Sequence, residues 1–127
     1  MKNKPILLVD DDRDMHKLIE TNLAELPIDL ISARSAPEGL ELLSGGLKPR
    51  LVLLDLSMPK SGGAEFLEQL KTLPGLTRNV RNVPVLIITS RSPQAEEDVV
   101  VNEQVVSFFQ KPLDFTKLIA LVESYLD

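Results

Sequence analysis

The 127-residue chain contains no cysteine. Disulfides, thiolate catalysis and cysteine-held zinc or iron–sulfur centres are therefore excluded. His16 is the sole histidine, so no centre built on two or three imidazoles can form within one chain. Tryptophan is absent and tyrosine occurs once, as Tyr125, which leaves too few aromatics to sandwich a flavin ring. Lys and Arg number 14 against 19 Asp and Glu, giving a net charge of −5. That balance provides no field to attract nucleic acid or an anionic membrane surface. No apolar run approaches the roughly 20 residues of a membrane helix. The run Ile6-Leu7-Leu8-Val9 is too short for a signal-peptide core and stops at Asp10-Asp11-Asp12. The sequence reads as one acidic domain over residues 1–127, expected in a reducing cytoplasm.

What is present is an alternation of short apolar runs with stretches of helical period. Ile6–Val9, Leu51–Leu54, Val85–Ile88 and Val105–Phe109 are continuously or almost continuously apolar, as strands covered on both faces of a parallel sheet require. Ile28–Ala33 is partly alternating and suits an edge strand. Met15, Leu18, Ile19, Asn22, Leu23 and Leu26 form one helical face, with only Asn22 polar. Phe66, Leu67, Leu70 and Leu73 form a second, and Phe115, Leu118, Ile119, Val122, Tyr125 and Leu126 a third. Ala36-Pro37-Glu38-Gly39-Leu40 opens a short helix with proline in its first turn, and Gly45-Gly46 closes it. Ser92-Pro93 opens a further candidate at Gln94–Gln104. Pro74 to Pro84 is the longest irregular stretch, and its Arg78 and Arg81 are expected to be solvated. The pattern predicts (βα)5, an α/β fold with a doubly wound parallel sheet and helices on both faces.

In such a sheet the carboxyl ends of the strands form the ligand crevice. Asp10-Asp11-Asp12, Asp55, Thr89 and Lys111 each follow a strand, so distant stretches of chain bring carboxylates, a hydroxyl and an ammonium to one edge. Taken singly, each has a plain explanation: an aspartate after a strand commonly caps the next helix, Thr89 can end a strand, and Lys111 can be a solvated charge. Together they imply more. Clustered carboxylates repel unless a cation joins them, and hard oxygen donors suit Mg²⁺. A metal, an ammonium and a hydroxyl around a carboxylate make a phosphoryl-transfer site with aspartate as nucleophile. His16, near the start of the first helix, is expected to be a partly exposed helical residue.

These pieces closely resemble the receiver domains of two-component response regulators. The matching motifs are Leu8-Val9-Asp10-Asp11, Asp55-Leu56-Ser57-Met58-Pro59 with Gly63 farther along, Thr89-Ser90 and Lys111-Pro112, and the resemblance spans Ile6 to Leu126. It implies a flavodoxin-like strand order 2-1-3-4-5 and a phosphorylation-dependent switch. Asp55 would accept a phosphoryl group from a phosphohistidine of a histidine kinase or phosphotransfer protein. Asp10, Asp11, Asp55 and the main-chain carbonyl of Ser57 would hold Mg²⁺. Lys111 would pair with the carboxylate or phosphoryl oxygens, and Thr89 would bond the phosphoryl group. Thr89 and Phe108 would form the switch, and Ser57 and Arg91 would tune the lifetime of the acyl phosphate. A cis Lys111–Pro112 bond is also implied.

The implied output face comprises the fourth helix, the fifth strand and the last helix. It would dock a downstream protein, a fused output domain or a second copy of the chain, with no direct nucleic-acid or membrane contact. The sequence departs from the family pattern in its long Asp55–Thr89 spacing, in Gln104 where glycine commonly ends the fourth helix, and in Val99-Val100-Val101, whose helix propensity is poor. That helix is expected to fray toward Gln104. Two other readings compete. A haloacid-dehalogenase-like phosphatase would use Asp10 as nucleophile and Asp12 as acid, but it lacks the Gly-Thr after the acid and leaves Asp55 without a role. A receiver-like binding module that is never phosphorylated would not need the full set of site residues.

Overall fold

A computed structural model describes residues 3–56, 63–90 and 104–126. The chain forms β1 (Lys4–Val9), α1 (Arg13–Asn22), β2 (Ile28–Ala33), α2 (Ala36–Ser44), β3 (Leu51–Asp55), α3 (Gly63–Thr72), α4 (Arg78–Arg81), β4 (Val85–Thr89), β5 (Val105–Gln110) and α5 (Phe115–Ser124). The helix expected at Gln94–Gln104 lies outside the described residues, apart from Gln104 itself. So do Ser57, Met58, Pro59 and Arg91.

The five strands are parallel and ordered β2-β1-β3-β4-β5, the order implied by the resemblance. β1, β3 and β4 occupy the middle, which explains their unbroken apolar sequences: every residue of β3 and β4 is buried. Successive side chains point to opposite faces, so each central strand supplies two cores. Leu7, Val9, Val52, Leu54, Val85 and Ile87 pack on one face with Ala36 and Leu43 of α2 and Phe66, Leu67 and Leu70 of α3. Ile6, Leu8, Leu51, Leu53, Leu86 and Ile88 pack on the other with Met15 and Ile19 of α1 and Leu118 and Val122 of α5. β2 and β5 are the edges and are only partly buried.

The helices start where side chains can satisfy free amide groups. Asp12 caps α1 by accepting from the Asp14 amide, and Asp114 caps α5 by accepting from Lys117. Ser35 caps α2 by accepting from the Glu38 amide at 3.2 Å, and Glu38 reaches back to the Arg34 amide at 3.1 Å. Gly39 brings α2 close to the sheet, since a Cβ there would stand 3.1 Å from both Phe66 Cε2 and Val9 Cγ2.

Three expectations need correction. Leu18 does not join the buried face of α1, being 48% exposed; Met15, Ile19 and Leu23, with the partly buried Leu26, make a narrower apolar stripe. The stretch Pro74–Pro84 is not wholly irregular. Thr77 Oγ1 accepts from the Val80 amide and starts the short helix α4. Arg81 is not simply solvated either: its guanidinium donates to the carbonyl oxygens of Lys71 and Leu73 and straps α4 to the end of α3. Gln104 is buried, donating from Nε2 to the Val83 carbonyl at 3.0 Å while its own main-chain carbonyl accepts from the Val85 amide at 2.8 Å. It ties the entry of β5 to the entry of β4.

Candidate functional site

The strand order reverses direction between β1 and β3, which is where an open parallel sheet offers its ligand crevice. Asp10 follows β1 directly and Asp55 is the last residue of β3. Thr89 ends β4, and Lys111 stands one residue beyond β5. The sheet ladder continues past the strands at three points along this edge. The Asp10 amide donates to Ala33 O at 3.0 Å, the Leu56 amide to Ile88 O at 3.0 Å and the Lys111 amide to Thr89 O at 2.7 Å.

Asp10, Asp11 and Asp55 each bring a carboxylate oxygen within 4.8 Å of the others. Asp10 and Thr89 have no exposed surface and Asp55 is 2% exposed, while Asp11 forms the solvent-facing lip. Lys111 Nζ stands 3.4 Å from Asp55 Oδ2 and 3.7 Å from Asp10 Oδ2. One ammonium thus faces a cluster of three carboxylates. Burial pushes the Asp10 carboxyl up to about 7, and the neighbouring Asp55 adds to the rise. The Asp12 amide, which donates to Asp10 Oδ1 at 2.9 Å, and Lys111 pull the other way.

Asp10 Oδ2 is buried and has no hydrogen-bond partner among the described residues. A buried carboxylate oxygen with no hydrogen bond, two further carboxylates beside it and open access from Asp11 fit a divalent cation with hard oxygen preference, as Mg²⁺ has. Asp12 behaves differently. It caps α1 with Oδ1 at 2.9 Å from the Asp14 amide, so the plain reading of a post-strand aspartate holds for Asp12 and not for Asp10 or Asp11.

Phe108 lies partly buried against the core on the α2–α3 face, three positions before Lys111. The Lys111–Pro112 bond is cis. Ser57, expected to offer a main-chain carbonyl, is outside the described residues.

One contact has no counterpart in the sequence pattern. His16 is not partly exposed, as its helical position suggests; it is 8% exposed. Its Nε2 lies 2.7 Å from the Asp10 carbonyl oxygen and its Nδ1 lies 2.6 Å from Ser32 Oγ. The helical period only places His16 beside Met15; its polar partners come from the end of β1 and from β2.

Comparisons with known proteins agree with this fold. The family model described as "Response regulator receiver domain" matches residues 6–123. The Transcriptional regulatory protein CpxR homolog of Haemophilus influenzae is 33% identical over 121 residues, covering 95% of this chain and 49% of that protein. The chain therefore spans about half the length of such curated relatives. Among solved structures, the bacteriophytochrome response regulator AtBRR is 31% identical with a TM-score of 0.75, covering 99% of this chain and 94% of that one. A response regulator receiver domain protein of Methanospirillum hungatei superposes with a TM-score of 0.82 at 23% identity, covering 99% and 95% of the two chains, and supports the fold.

Proposed function

We propose that this chain, which belongs to the response regulator receiver domains, is a phosphorylation switch that accepts a phosphoryl group on Asp55. The observation that carries the reading is the setting of Asp55: buried at the end of β3, 3.4 Å from the Lys111 ammonium and grouped with Asp10 and Asp11. The donor is a phosphohistidine on a histidine kinase or phosphotransfer protein. An Asp55 carboxylate oxygen attacks phosphorus, the O–P bond forms as the donor's P–N bond breaks, and the electron pair leaves on the imidazole, which takes up a proton. Asp10, Asp11, Asp55 and the Ser57 carbonyl would hold Mg²⁺, which would supply positive charge to the transferring oxygens.

The chain's own groups position and neutralise. Lys111 gives its ammonium to the phosphoryl oxygens, where a fixed charge in a buried setting counts for more than in water. Asp10 keeps Oδ1 on the Asp12 amide and so presents Oδ2 to the site. The Thr89 hydroxyl donates to the phosphoryl group once it exists. Drawing Thr89 inward opens space for Phe108, and the phosphoryl group shifts this two-state element by its differential contacts with the two arrangements. The readout surface comprises β5, α5 and the 94–104 segment, and it takes a downstream protein, an output domain or a second copy. Ser57 and Arg91, two positions beyond Asp55 and Thr89 in the sequence, set the lifetime of the acyl phosphate.

Intact mass after incubation with acetyl phosphate and Mg²⁺ tests the assignment. Native protein should gain one phosphoryl group and Asp55→Asn none. No gain on the native chain, or an equal gain on both, would refute it.

A further inference from the structure

Asp10 is held at every polar atom but one. Its amide donates to Ala33 O at 3.0 Å, and its Oδ1 accepts from the Asp12 amide at 2.9 Å. Its carbonyl oxygen accepts from His16 Nε2 at 2.7 Å. The last contact is the unusual one, because it comes from a side chain on another element. A fully buried carbonyl needs a donor, and β1 has already ended here, so the donor comes from α1. A carbonyl oxygen only accepts, so Nε2 must carry the proton. In the neutral imidazole Nδ1 then accepts from the Ser32 hydroxyl, 2.6 Å away on β2. The two ends of the ring differ in surroundings. The Ser32 end borders a recess of about 250 Å³ lined by Arg13, His16, Lys17, Ser32 and Arg34, whereas the Asp10 end is buried.

The Asp10 carbonyl belongs to the peptide plane that joins Asp10 to Asp11. Peptide planes are rigid, so fixing that oxygen fixes the direction in which Asp11 leaves Asp10. We infer that His16 is a positioning residue for the acidic site: by holding one peptide plane it sets the relative placement of the Asp10 and Asp11 carboxylates. The inference rests on the acceptor reading above and assigns His16 no contact with phosphoryl group or metal.

Two substitutions separate the ends of the ring. The side-chain amide of glutamine reaches about as far as Nε2, and that of asparagine about as far as Nδ1. His16→Gln therefore keeps a donor on the Asp10 carbonyl and gives up Ser32; His16→Asn does the reverse. Mg²⁺ binding measured by calorimetry should weaken about tenfold in His16→Asn, the lower end of what groups orienting metal ligands from behind contribute. It should stay within about threefold of wild type in His16→Gln, by the same reckoning. Ser32→Ala should leave Mg²⁺ affinity unchanged. Wild-type affinity in His16→Asn, or an equal loss in His16→Gln, would overturn the inference. A readout on the native chain guards against variants that fail to fold: long-range ¹H–¹⁵N spectra should place the imidazole proton on Nε2, and a proton on Nδ1 would overturn it. Failure of the acceptor reading looks different. There the native chain itself would bind no Mg²⁺ and take no phosphoryl group, and both conclusions would fall.

Discussion

Asp10→Asn should make the metal-free protein more stable at neutral pH and flatten its pH dependence. Burial, helped by Asp55, raises the Asp10 carboxyl from 3.8 to about 7. Between these values the folded chain keeps a proton that the unfolded chain has lost. Stability from this group is complete below about pH 4, declines as pH rises toward 7 and is gone above it, because the folded state binds more protons in that window. Each unit corresponds to about 1.4 kcal/mol, so the group's contribution should fall by about 2 to 3 kcal/mol between pH 5 and pH 8. Asparagine imitates the protonated carboxyl. It retains an oxygen for the Asp12 amide and places an NH₂ toward Asp55, with no charge to desolvate. Urea unfolding in EDTA at several pH values, followed by circular dichroism, isolates the effect, since other groups largely cancel in the difference between the two proteins. The Asn variant should gain on wild type by about 2 to 3 kcal/mol across that range. A constant difference, or one that shrinks as pH rises, would refute the account of Asp10. Saturating Mg²⁺ should restore wild-type stability more at pH 8 than at pH 5, because a proton must leave before the cation enters.

Leu18→Ala should change stability by no more than about 0.5 kcal/mol, whereas Ile19→Ala should cost about 2 to 4 kcal/mol; equal losses in urea unfolding would mean that α1 is turned differently. Gly39→Ala gains helix propensity, but its Cβ meets the fully buried Phe66 and Val9 at 3.1 Å. A net loss of about 1 kcal/mol is expected, and a stabilised variant would contradict that close packing. Arg81→Ala frees two carbonyls at the end of α3 and should cost about 1 to 2 kcal/mol, with faster amide exchange confined to the α3–α4 junction; unchanged exchange there would count against the strap.

The central strands and the site edge are legible in the sequence because their signals are local. Buried parallel strands are apolar throughout, and the residue after each strand falls at the same end of the sheet whatever the strand order. Asp10, Asp55, Thr89 and Lys111 can therefore be grouped from the sequence, although the order of strands rests on resemblance. His16 cannot be placed that way. A buried polar side chain is defined by partners far along the chain, here Ser32, and helical periodicity carries no trace of them. Leu18 misleads for the complementary reason. An apolar residue on the rim of a helical face looks the same in sequence whether or not the sheet extends far enough to cover it. The short helix α4 leaves no periodic signal because four residues hold barely one turn, and its stability comes from Thr77 and Arg81.

The main-chain ladder that runs past the strand ends has a consequence for how such a chain diversifies. Asp10 and Lys111 hang by their own amides from the neighbouring strand, and Leu56 does the same beside Asp55. The groups of the candidate site are therefore registered by the frame of the sheet and owe little to the segments that connect its strands. Connecting loops are the part of a fold that tolerates exchange, and chemistry anchored on strands keeps its geometry when they change. The long Pro74–Pro84 segment is an instance: it enlarges the far side of the sheet while Lys111 still stands 3.4 Å from Asp55. The surroundings can thus be rewritten around a fixed cluster of acids and ammonium, one loop at a time.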